Sequence, residues 1–502
     1  MIATVQFVKV IGAPINFGQA DDVVFHLNAL RWIMDTGDAS SLEITKMVQL
    51  DQPPTFYPAA WHDVVTLIGK IMGSTDVVFM TNASIWVIMA VVWPLSCMAL
   101  IRVMFARSAV PVRMAAWVMT VSFAAFPLLI LEYGIIYPNI FAVALVPAGV
   151  SLLVAGLELM PGTTLLAPTW VTRCLLCFSL VGLSLAQPNA LLTVVAIFVV
   201  TLPIWAYRGW RITGQSLTTI QTGNGALSQH WRSSWHYPVV LIVGWAVSVI
   251  IWIKVRTPAK WGPINTPEAS LGEFMLASPM GLHPDWVIGL LLALGLVALV
   301  RRADLRWWAG PLLIICLMWV VVSAWPIGPF RTWLVGGYYA DNFRLAALIP
   351  MALLPMTVAG IEWITSIISG YIGRHFVDSA SVIRAITSIV ALMLLIVGLQ
   401  FTKPIPDIVG YAQQAYRLSN ESRLVSLDEY KLIKALPDLI PAGAVVATEP
   451  GYGSSMAHAL AGIHTTTTHF DYISSPDLDI IHNHLDEAAS DPELVCPAAE
   501  RL

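Results

Sequence analysis

Long apolar runs alternate with short polar connections over most of the chain. About ten of these runs reach the length of about 20 residues that a helix needs to cross the hydrocarbon core of a bilayer. We predict membrane spans at 77–101, 114–136, 139–157, 171–187, 189–206, 237–255, 286–300, 308–326, 345–368 and 383–401. The pattern predicts a mainly α, polytopic α-helical membrane protein, in which residues 77–401 form the transmembrane domain.

Residues 1–76 contain two shorter amphipathic patterns. Four apolar residues recur at helical spacing in the first: Val23, Leu27, Leu30 and Met34. Asp21 or Asp22 is placed to cap the start of this helix, and Gly37 to end it. The second helix starts within "FYPAAWHDVVTLIGKIM", with Pro58 in its first turn, and four residues share its apolar face: Trp61, Val65, Ile68 and Met72. We predict that both helices lie along the membrane surface within one extracytoplasmic loop.

Residues 402–502 have the pattern of a small α/β domain. A capping box runs from Ser426 to Glu429, "GAVVAT" is typical of a strand, and "GYGSSMAHAL" of a turn into a helix. Pro476 is placed in the first turn of a further helix. We expect this domain to be truncated. We also expect a further span upstream of Met1, because "MIATVQFVKVIGAPINFG" is too short to cross a bilayer.

Composition supports a membrane protein and excludes several other classes. Hydrophobic residues make up 57% of the chain and charged residues only 12%, about half of what a soluble protein carries. The net charge of −4 and the scattered basic residues exclude a nucleic-acid partner. Cys174 and Cys177 form a C-x-x-C within a predicted span, where buried hydrophobic roles are favoured over zinc or redox roles.

Arginines mark alternate connections between the predicted spans. They cluster in short loops: Arg102, Arg107 and Arg113; Arg208, Arg211 and Arg232; Arg301, Arg302 and Arg306; Arg374 and Arg384. Short basic loops face the cytoplasm. This places residues 1–76 and 402–502 on the extracytoplasmic side of the membrane, which we predict to be the plasma membrane.

The unusual polar residues then collect at the outer membrane face. Those of the first loop are Asp21, Asp22, His26, Tyr57 and His62; those of later connections are Glu132, Tyr137, Asn139, Gln187, Asn189, His283, Asp285, Tyr338, Tyr339, Asp341 and Arg344. A pocket lined by these groups would hold a polar headgroup while its lipid tail stays in the bilayer. No two ligands have metal-site spacing. We therefore predict no cofactor, with a divalent metal as the open alternative.

Each candidate also has a structural explanation. Capping accounts for one of the two aspartates, although His26 shares a helix face with Asp22 at the i,i+4 spacing. His62 suits an interfacial surface position. Asp341 and Arg344 have the i,i+3 spacing of a local ion pair, while an arginine at a membrane boundary equally suits a phosphate ligand.

The layout resembles the GT-C class of membrane glycosyltransferases. The segments "DDVVFHLNALRWIMDTG", "FYPAAWH", "YYADNFRLAALIP" and "EPGYGSSMAHALAG" are also similar to those of an uncharacterised family of bacterial polytopic proteins. The GT-C resemblance implies an inverting transferase that takes a sugar from a polyprenyl-phosphate carrier. Its acceptor would be a cell-envelope glycan or lipid, and its first-loop acid, here Asp22 with Asp21 as the rival, would be the catalytic base.

The remaining site residues are assigned to substrate binding. These are His26, Tyr57, His62, Tyr339, Asp341 and Arg344, of which Arg344 is proposed on physical grounds as the phosphate ligand. The alternatives are a transporter or flippase of a lipid-linked or small polar solute, and a non-catalytic membrane scaffold. Apolar span centres count against transport, because transporters carry polar or broken helices near the bilayer midplane.

Overall fold

A computed structural model describes residues 1–48, 52–160, 168–218, 234–257, 261–376, 380–449, 451 and 453–502. The protein is 72% helical, which confirms the mainly α fold class. In the described ranges the only sheet pairs two short parallel strands, β1 (Val445–Val446) and β2 (His464–Thr465), with Val445 opposite His464.

The helices follow one another along nearly the whole chain. In order the α-helices are Ile2–Ile11 (α1), Asp21–Thr36 (α2), Ala60–Met72 (α3), Val77–Val87, Trp93–Met104, Val110–Thr120, Leu128–Glu132, Tyr137–Gly156, Thr169–Ala186, Pro188–Thr218, His236–Lys254, Pro267–Met275, Trp286–Arg301, Ala309–Ala324, Pro329–Val335, Asn342–Ala346, Ile349–His375, Ala380–Gln400, Pro404–Tyr416, Leu427–Leu439, Met456–Ala461, Pro476–His484 and Pro492–Arg501. A π-helical stretch, Ile88–Val92, joins two of them into one long helix. Short 3₁₀ turns are Ile44–Met47, Pro279–Gly281, Arg306–Trp308, Gly336–Tyr338 and Leu485–Glu487.

Eight helices in the described part of the chain are long and apolar enough to cross a membrane. They are Val77–Met104, Tyr137–Gly156, Thr169–Ala186, Pro188–Thr213, His236–Lys254, Arg306–Ala324, Asn342–His375 and Ser381–Gln400. Each corresponds to a predicted span. The predicted span 286–300 is the 16-residue helix Trp286–Arg301, which covers about 24 Å at 1.5 Å per residue and falls short of the hydrocarbon core.

The predicted span 114–136 is wrong as a single helix. Val110–Thr120 ends before a turn, and a separate short helix occupies Leu128–Glu132. Pro127 explains much of the break, because proline lacks an N–H and disfavours helical geometry in the residue before it. The apolar run is continuous in sequence, so hydropathy alone does not reveal this interruption.

The described residues divide into two compact units rather than the three predicted domains. The first unit comprises Met1–Val91, Leu128–Phe141 and Ile408–Leu502, and the second comprises Val92–Pro127 and Ala142–Asp407. The predicted boundaries at residues 76 and 402 do not coincide with the bounds of these units. The N-terminal and C-terminal segments, predicted as separate, fold together in the first unit.

Side-chain amides hold the two ends of the chain together in the first unit. The amide of Asn28 on α2 donates to the carbonyl oxygens of Ser455 (3.0 Å) and Thr468 (2.7 Å). Its oxygen accepts from the backbone N–H of Ala459 (2.9 Å). The oxygen of Gln19 accepts from the backbone N–H of Val425 (3.0 Å). Each bond satisfies a polar group that would otherwise be buried unpaired.

The helix α2 is not the membrane-surface helix that its pattern predicts. Nine of its residues are buried, and they point in all directions around the axis: Val23, Val24, Phe25, His26, Leu27, Asn28, Ala29, Leu30 and Ile33. The capping prediction is also wrong. Ala20 occupies the N-cap position, and Asp21 and Asp22 form the first turn of the helix without a side-chain cap bond.

The helix α3 forms as its pattern predicts, but its buried face is rotated about the helix axis relative to the predicted apolar face. Trp61, Val65 and Gly69 are buried, whereas Ile68 and Met72, predicted to share that face, are exposed. The helix begins at Ala60, so Pro58 precedes it. Three further apolar residues are exposed on this helix: Val64, Leu67 and Ile71. This apolar surface suits contact with lipid.

The C-terminal segment confirms several local predictions. Ser426 and Glu429 form the predicted capping box at the start of Leu427–Leu439. The strand β1 lies within "GAVVAT", a helix follows the predicted turn at Met456, and Pro476 is the first residue of its helix. The α/β character is limited to two-residue strands in the described residues.

Close helix packing organises the second unit. The helix Trp286–Arg301 crosses Ile349–His375 so tightly that a Cβ atom on Gly295 would lie 1.9 Å from the carbonyl oxygen of Met356. A Cβ atom on Gly360 would lie 2.3 Å from the carbonyl oxygen of Leu291. Small residues permit such approach between membrane helices.

Candidate functional site

The two adjacent aspartates of α2 have different surroundings in the first unit. Asp21 is exposed, and its carboxylate forms an ion pair with Arg423 at 3.0 Å. Asp22 is partly buried and lies against the turn at Gly134, where an added Cβ atom would be 3.6 Å from its Oδ2 atom. Gly134 has a φ of +65°, which favours glycine. The structure therefore distinguishes the two neighbours that the sequence left as rivals.

One turn after Asp22, His26 contacts His62 of α3. Nδ1 of His26 and Nε2 of His62 are 3.1 Å apart and share one hydrogen bond. Both rings are buried, and His62 has no exposed surface. Burial lowers the pKa of His62 to about 3, because the charged imidazolium loses its hydration. The predicted surface position of His62 is therefore wrong, and its neutral ring orients His26.

An aromatic cluster surrounds the histidine pair. Trp61 stacks on Tyr137 with ring centroids 4.9 Å apart, and both rings are almost fully buried. The Tyr137 ring lies 5.5 Å from His26, and Tyr57 lies 5.8 Å from His62. Tyr57 and Tyr137, two predicted outer-face residues, are thereby brought to the same cluster. Aromatic packing of this kind fixes side-chain orientation.

His469 belongs to this neighbourhood, although no pattern in the sequence points to it. Its ring is 5.5 Å from that of Phe25, which directly precedes His26 on α2. Burial lowers the pKa of His469 to about 4, against the opposing influence of Asp471 and Asp21. His469 follows four threonines near the far end of the chain, and only tertiary structure brings it to α2.

Glu132, another predicted residue, lies two positions before Gly134. It is partly buried, and burial raises the pKa of its carboxyl group. Asn139 is buried in the same unit. The first unit therefore contains the predicted first-loop residues together with Glu132 and Asn139.

The second unit contains the predicted "YYADNFR" segment. Asp341 caps the helix Asn342–Ala346 by accepting a bond from the Phe343 N–H at 2.8 Å. Its other oxygen lies 3.3 Å from Nε of Arg344, which confirms the local ion pair. The guanidinium of Arg344 also lies over the ring of Tyr339, 4.6 Å from its centroid. Nη1 of Arg344 is buried without a hydrogen-bond partner among the described residues.

Backbone strain accompanies this arginine. Tyr339 and Ala340 have φ values of 61° and 48°, which cost energy in residues other than glycine. The fully buried Arg331 supports the turn by donating from Nη2 to the carbonyl oxygens of Val322 (2.8 Å) and Ala340 (3.4 Å). Arg331 was not a predicted site residue, because a lone arginine in "GPFRTW" gives no signal of its burial.

Neighbouring loops of the second unit meet the same segment. The hydroxyl of Tyr338 is 2.9 Å from that of Thr193. Thr193 lies four residues after Asn189 in the chain, and the predicted Gln187 and Asn189 are both buried. His283 pairs with Asp407 at 3.1 Å. Asp285 caps Trp286–Arg301 through the Ile288 N–H at 3.0 Å. His283 and Asp285 thus have structural partners of their own.

No group of three or more His, Cys, Asp or Glu side chains in the described ranges is arranged to hold a metal ion. The candidate chemistry therefore consists of two parts. A carboxylate with a buried histidine pair lies in the first unit, and a compensated arginine lies in the second.

A family model described as a family of unknown function, DUF6541, matches residues 1–502. The chain belongs to this family. No curated protein matches it. The match covers both units of the DUF6541 chain. Membership in this family assigns no reaction. The chemistry is therefore inferred from the surroundings of Asp22 and Arg344.

Proposed function

We propose that the chain is a GT-C-like membrane glycosyltransferase with Asp22 as its catalytic base. The observation that carries the proposal is the separation of roles at the start of α2. Arg423 pairs with Asp21, whereas Asp22 lies one helical turn before a histidine pair whose His62 ring is neutral. A carboxylate at a helix N-terminus is favoured in its charged form by the helix dipole. That form is the one that accepts a proton.

The proposed reaction is an inverting displacement. The acceptor hydroxyl oxygen attacks the anomeric carbon of a polyprenyl-phosphate-linked sugar, and Asp22 takes the hydroxyl proton. The bond between the anomeric carbon and the phosphate oxygen breaks, and polyprenyl phosphate leaves with the bonding electrons. No metal or redox partner is required for this balance.

Arg344 is proposed as the phosphate ligand. Its Nη1 donor, which is buried without a hydrogen-bond partner among the described residues, leaves capacity for an anion beyond the contact of Nε with Asp341. Burial raises the pKa of Asp341, although the charge of Arg344 opposes this shift. A planar guanidinium matches two phosphate oxygens at once. Asp341 and Tyr339 would orient the guanidinium group of Arg344. The strained backbone at Tyr339 would help to keep this group in position to bind phosphate.

We propose that catalysis takes place on the extracytoplasmic side of the plasma membrane, with a cell-envelope glycan or lipid as acceptor. The arginines of alternate connections support this orientation. The shared first unit supports one common side for the N-terminal and C-terminal segments.

One observation favours the runner-up, a transporter of a lipid-linked or polar solute. The run predicted as span 114–136 is broken into separate helices, and interrupted helices are typical of transporters. Transport of a lipid-linked sugar without its cleavage would favour this alternative.

The decisive experiment compares Asp22→Asn with Asp21→Asn. Purified protein in lipid nanodiscs would be assayed for transfer from radiolabelled polyprenyl-phosphate hexoses to a cell-envelope extract. Asp22→Asn keeps the size of the side chain but removes the basic oxygen, so we expect transfer to fall by about 10²-fold or more. Asp21→Asn, the matched control, should retain most activity.

Donor binding measured with the same labelled lipids should survive in both variants. Equal activity of Asp22→Asn and the parent would contradict the role of Asp22. Loss in Asp21→Asn alone would exchange the roles of the two neighbours. No effect of either on any transfer would remove the main support for the glycosyltransferase.

A further inference from the structure

A cleft opens at the carboxyl end of β1, apart from the residues used above. The strand β1, the helix Met456–Ala461 and the strand β2 form a parallel β-α-β unit. Ligands of such units commonly bind beyond the carboxyl ends of the strands. The cleft here has a volume of about 510 Å³. It is lined by the three residues after β1 and by four from the helix Pro476–His484 and the turn that follows: Ala447, Thr448, Glu449, Ile481, His482, Leu485 and Asp486.

The loop that carries Glu449 is held by several contacts. The backbone N–H of Glu449 donates to Oγ of Ser454 (2.8 Å), and that hydroxyl donates back to the carbonyl oxygen of Glu449 (2.8 Å). Gly453 has a φ of +75°, and a Cβ atom there would lie 2.2 Å from the carbonyl oxygen of Leu424. Only glycine fits at position 453, and the two bonds to Ser454 hold the backbone of Glu449.

His482 is oriented from behind. Its Nδ1 atom is 2.8 Å from the hydroxyl of Tyr472, whose ring meets the imidazole edge to face. Its Nε2 atom is buried and has no hydrogen-bond partner among the described residues. Because Tyr472 engages one ring nitrogen, the second nitrogen is left for a further partner.

The residues that line the cleft select the kind of ligand. The carboxylates of Glu449 and Asp486 repel phosphates and other anions. Carboxylates and imidazole nitrogens accept hydrogen bonds from hydroxyl groups. Ile481 and Leu485 offer aliphatic surface that can cover the C–H face of a sugar ring.

We propose that this cleft binds a neutral saccharide. The proposal stands on the cleft, the held backbone of Glu449 and the oriented histidine, and it does not rest on the transferase proposal. Glu449 and Asp486 accept hydrogen bonds from the sugar hydroxyls, and His482 contributes its second nitrogen. Tyr472 is a positioning residue, since it acts through His482.

The test measures binding of three neutral methyl glycosides to the full chain in nanodiscs. Nanodiscs are used because maltoside detergents present sugar headgroups of their own. The probes are methyl α-mannoside, methyl β-galactoside and methyl β-glucoside, followed by saturation-transfer NMR and calorimetry. We expect at least one to bind, and Glu449→Gln and Asp486→Asn each to weaken it by about tenfold or more, because each loses a charge-assisted hydrogen bond.

Glu493→Gln is the matched control, an exposed carboxylate on the helix Pro492–Arg501 that does not line the cleft. It should bind like the parent. Tyr472→Phe removes the bond to His482 without changing a lining residue. It should weaken binding by a smaller factor, and it keeps the test informative if Glu449→Gln does not fold.

Three results would overturn the proposal. One is no binding of any of the three glycosides at up to about 50 mM, which corresponds to negligible affinity. Another is binding that Glu449→Gln and Asp486→Asn leave unchanged. The third is mannose 6-phosphate bound as tightly as the neutral glycosides, since the carboxylates should repel it. Transferase activity is a separate readout, so loss of sugar binding here is distinguishable from failure of the role of Asp22.

Discussion

The surroundings of Asp22 in the first unit and of Arg344 in the second differ in how charge is balanced. Asp22 lies against Gly134 and one helical turn before His26, which is hydrogen-bonded to the neutral His62, while Arg423 pairs with Asp21. Arg344, in contrast, has a carboxylate and an aromatic face in direct contact. A partly buried carboxylate in the first turn of a helix suits a group that takes up a proton during a reaction. A compensated guanidinium suits a group that keeps its charge and binds an anion.

The largest expected effect is the change in the free energy of unfolding with pH, which acts through His62. Its folded-state pKa of about 3 lies below the value of 6.5 for a free histidine. Between these values the unfolded state binds the extra proton, so stability is lost as the pH falls below about 6.5. We expect the parent to lose about 2 kcal/mol more than His62→Gln between pH 7 and pH 5.

The measurement is the free energy of unfolding in mixed detergent at the two pH values. His469 contributes in the same direction as His62. Asp63 contributes in the opposite direction, because burial raises its pKa to about 6. Both are present in the parent and the variant, so the difference isolates His62. Parallel pH profiles would show that His62 is charged or exposed in the native state.

A smaller effect is expected at Arg344. Arg344→Lys keeps the charge but loses the fork that fits two phosphate oxygens. We expect the KM for the polyprenyl-phosphate donor to rise by about tenfold with a nearly unchanged kcat. Arg306→Lys, which replaces an exposed arginine of the same unit, is the control. A fall in kcat at constant KM would indicate that Arg344 does not bind the phosphate of the polyprenyl-phosphate donor.

The smallest effect is expected at Arg423, and it sharpens the assignment of the two aspartates. The Arg423–Asp21 pair is largely exposed, with side chains 74% and 52% accessible. Exposed pairs contribute about 0.5 kcal/mol. Arg423→Gln should therefore change the free energy of unfolding by no more than about this amount and leave transfer unchanged. A strong loss of transfer, measured in the nanodisc assay, would move the catalytic role toward Asp21.

Local signals in the sequence predicted much of the fold. The Ser426 capping box, the helix beginning at Pro476 and the ion pair of Asp341 with Arg344 all depend on residues within one or two turns. Apolar run length predicted ten spans, and eight of them correspond to helices in the described residues that are long enough to cross a membrane. It failed where Pro127 interrupts a run, because average hydropathy does not register a single break in the backbone.

Contacts of the candidate site between residues far apart in the chain could not be predicted from the sequence. His469 reaches Phe25, and Asn28 bonds Ser455, across more than four hundred residues. Periodicity indicated a surface helix for α2 because it records only one covered face. The polar Asn28 and His26 are nevertheless buried, and their partners come from distant segments that no local pattern specifies.

The construction of the first unit from both ends of the chain sets an order of events during synthesis. Asn28 emerges from the ribosome early, but its partners Ser455 and Thr468 are made only after nearly all membrane helices. Contacts of such sequence separation are slow to form. Until the last hundred residues arrive, the buried polar groups of α2 lack their native partners. In nascent chains released before that point, α2 and Asp22 should not reach their native positions. Any activity of this site would therefore begin only when translation is almost complete.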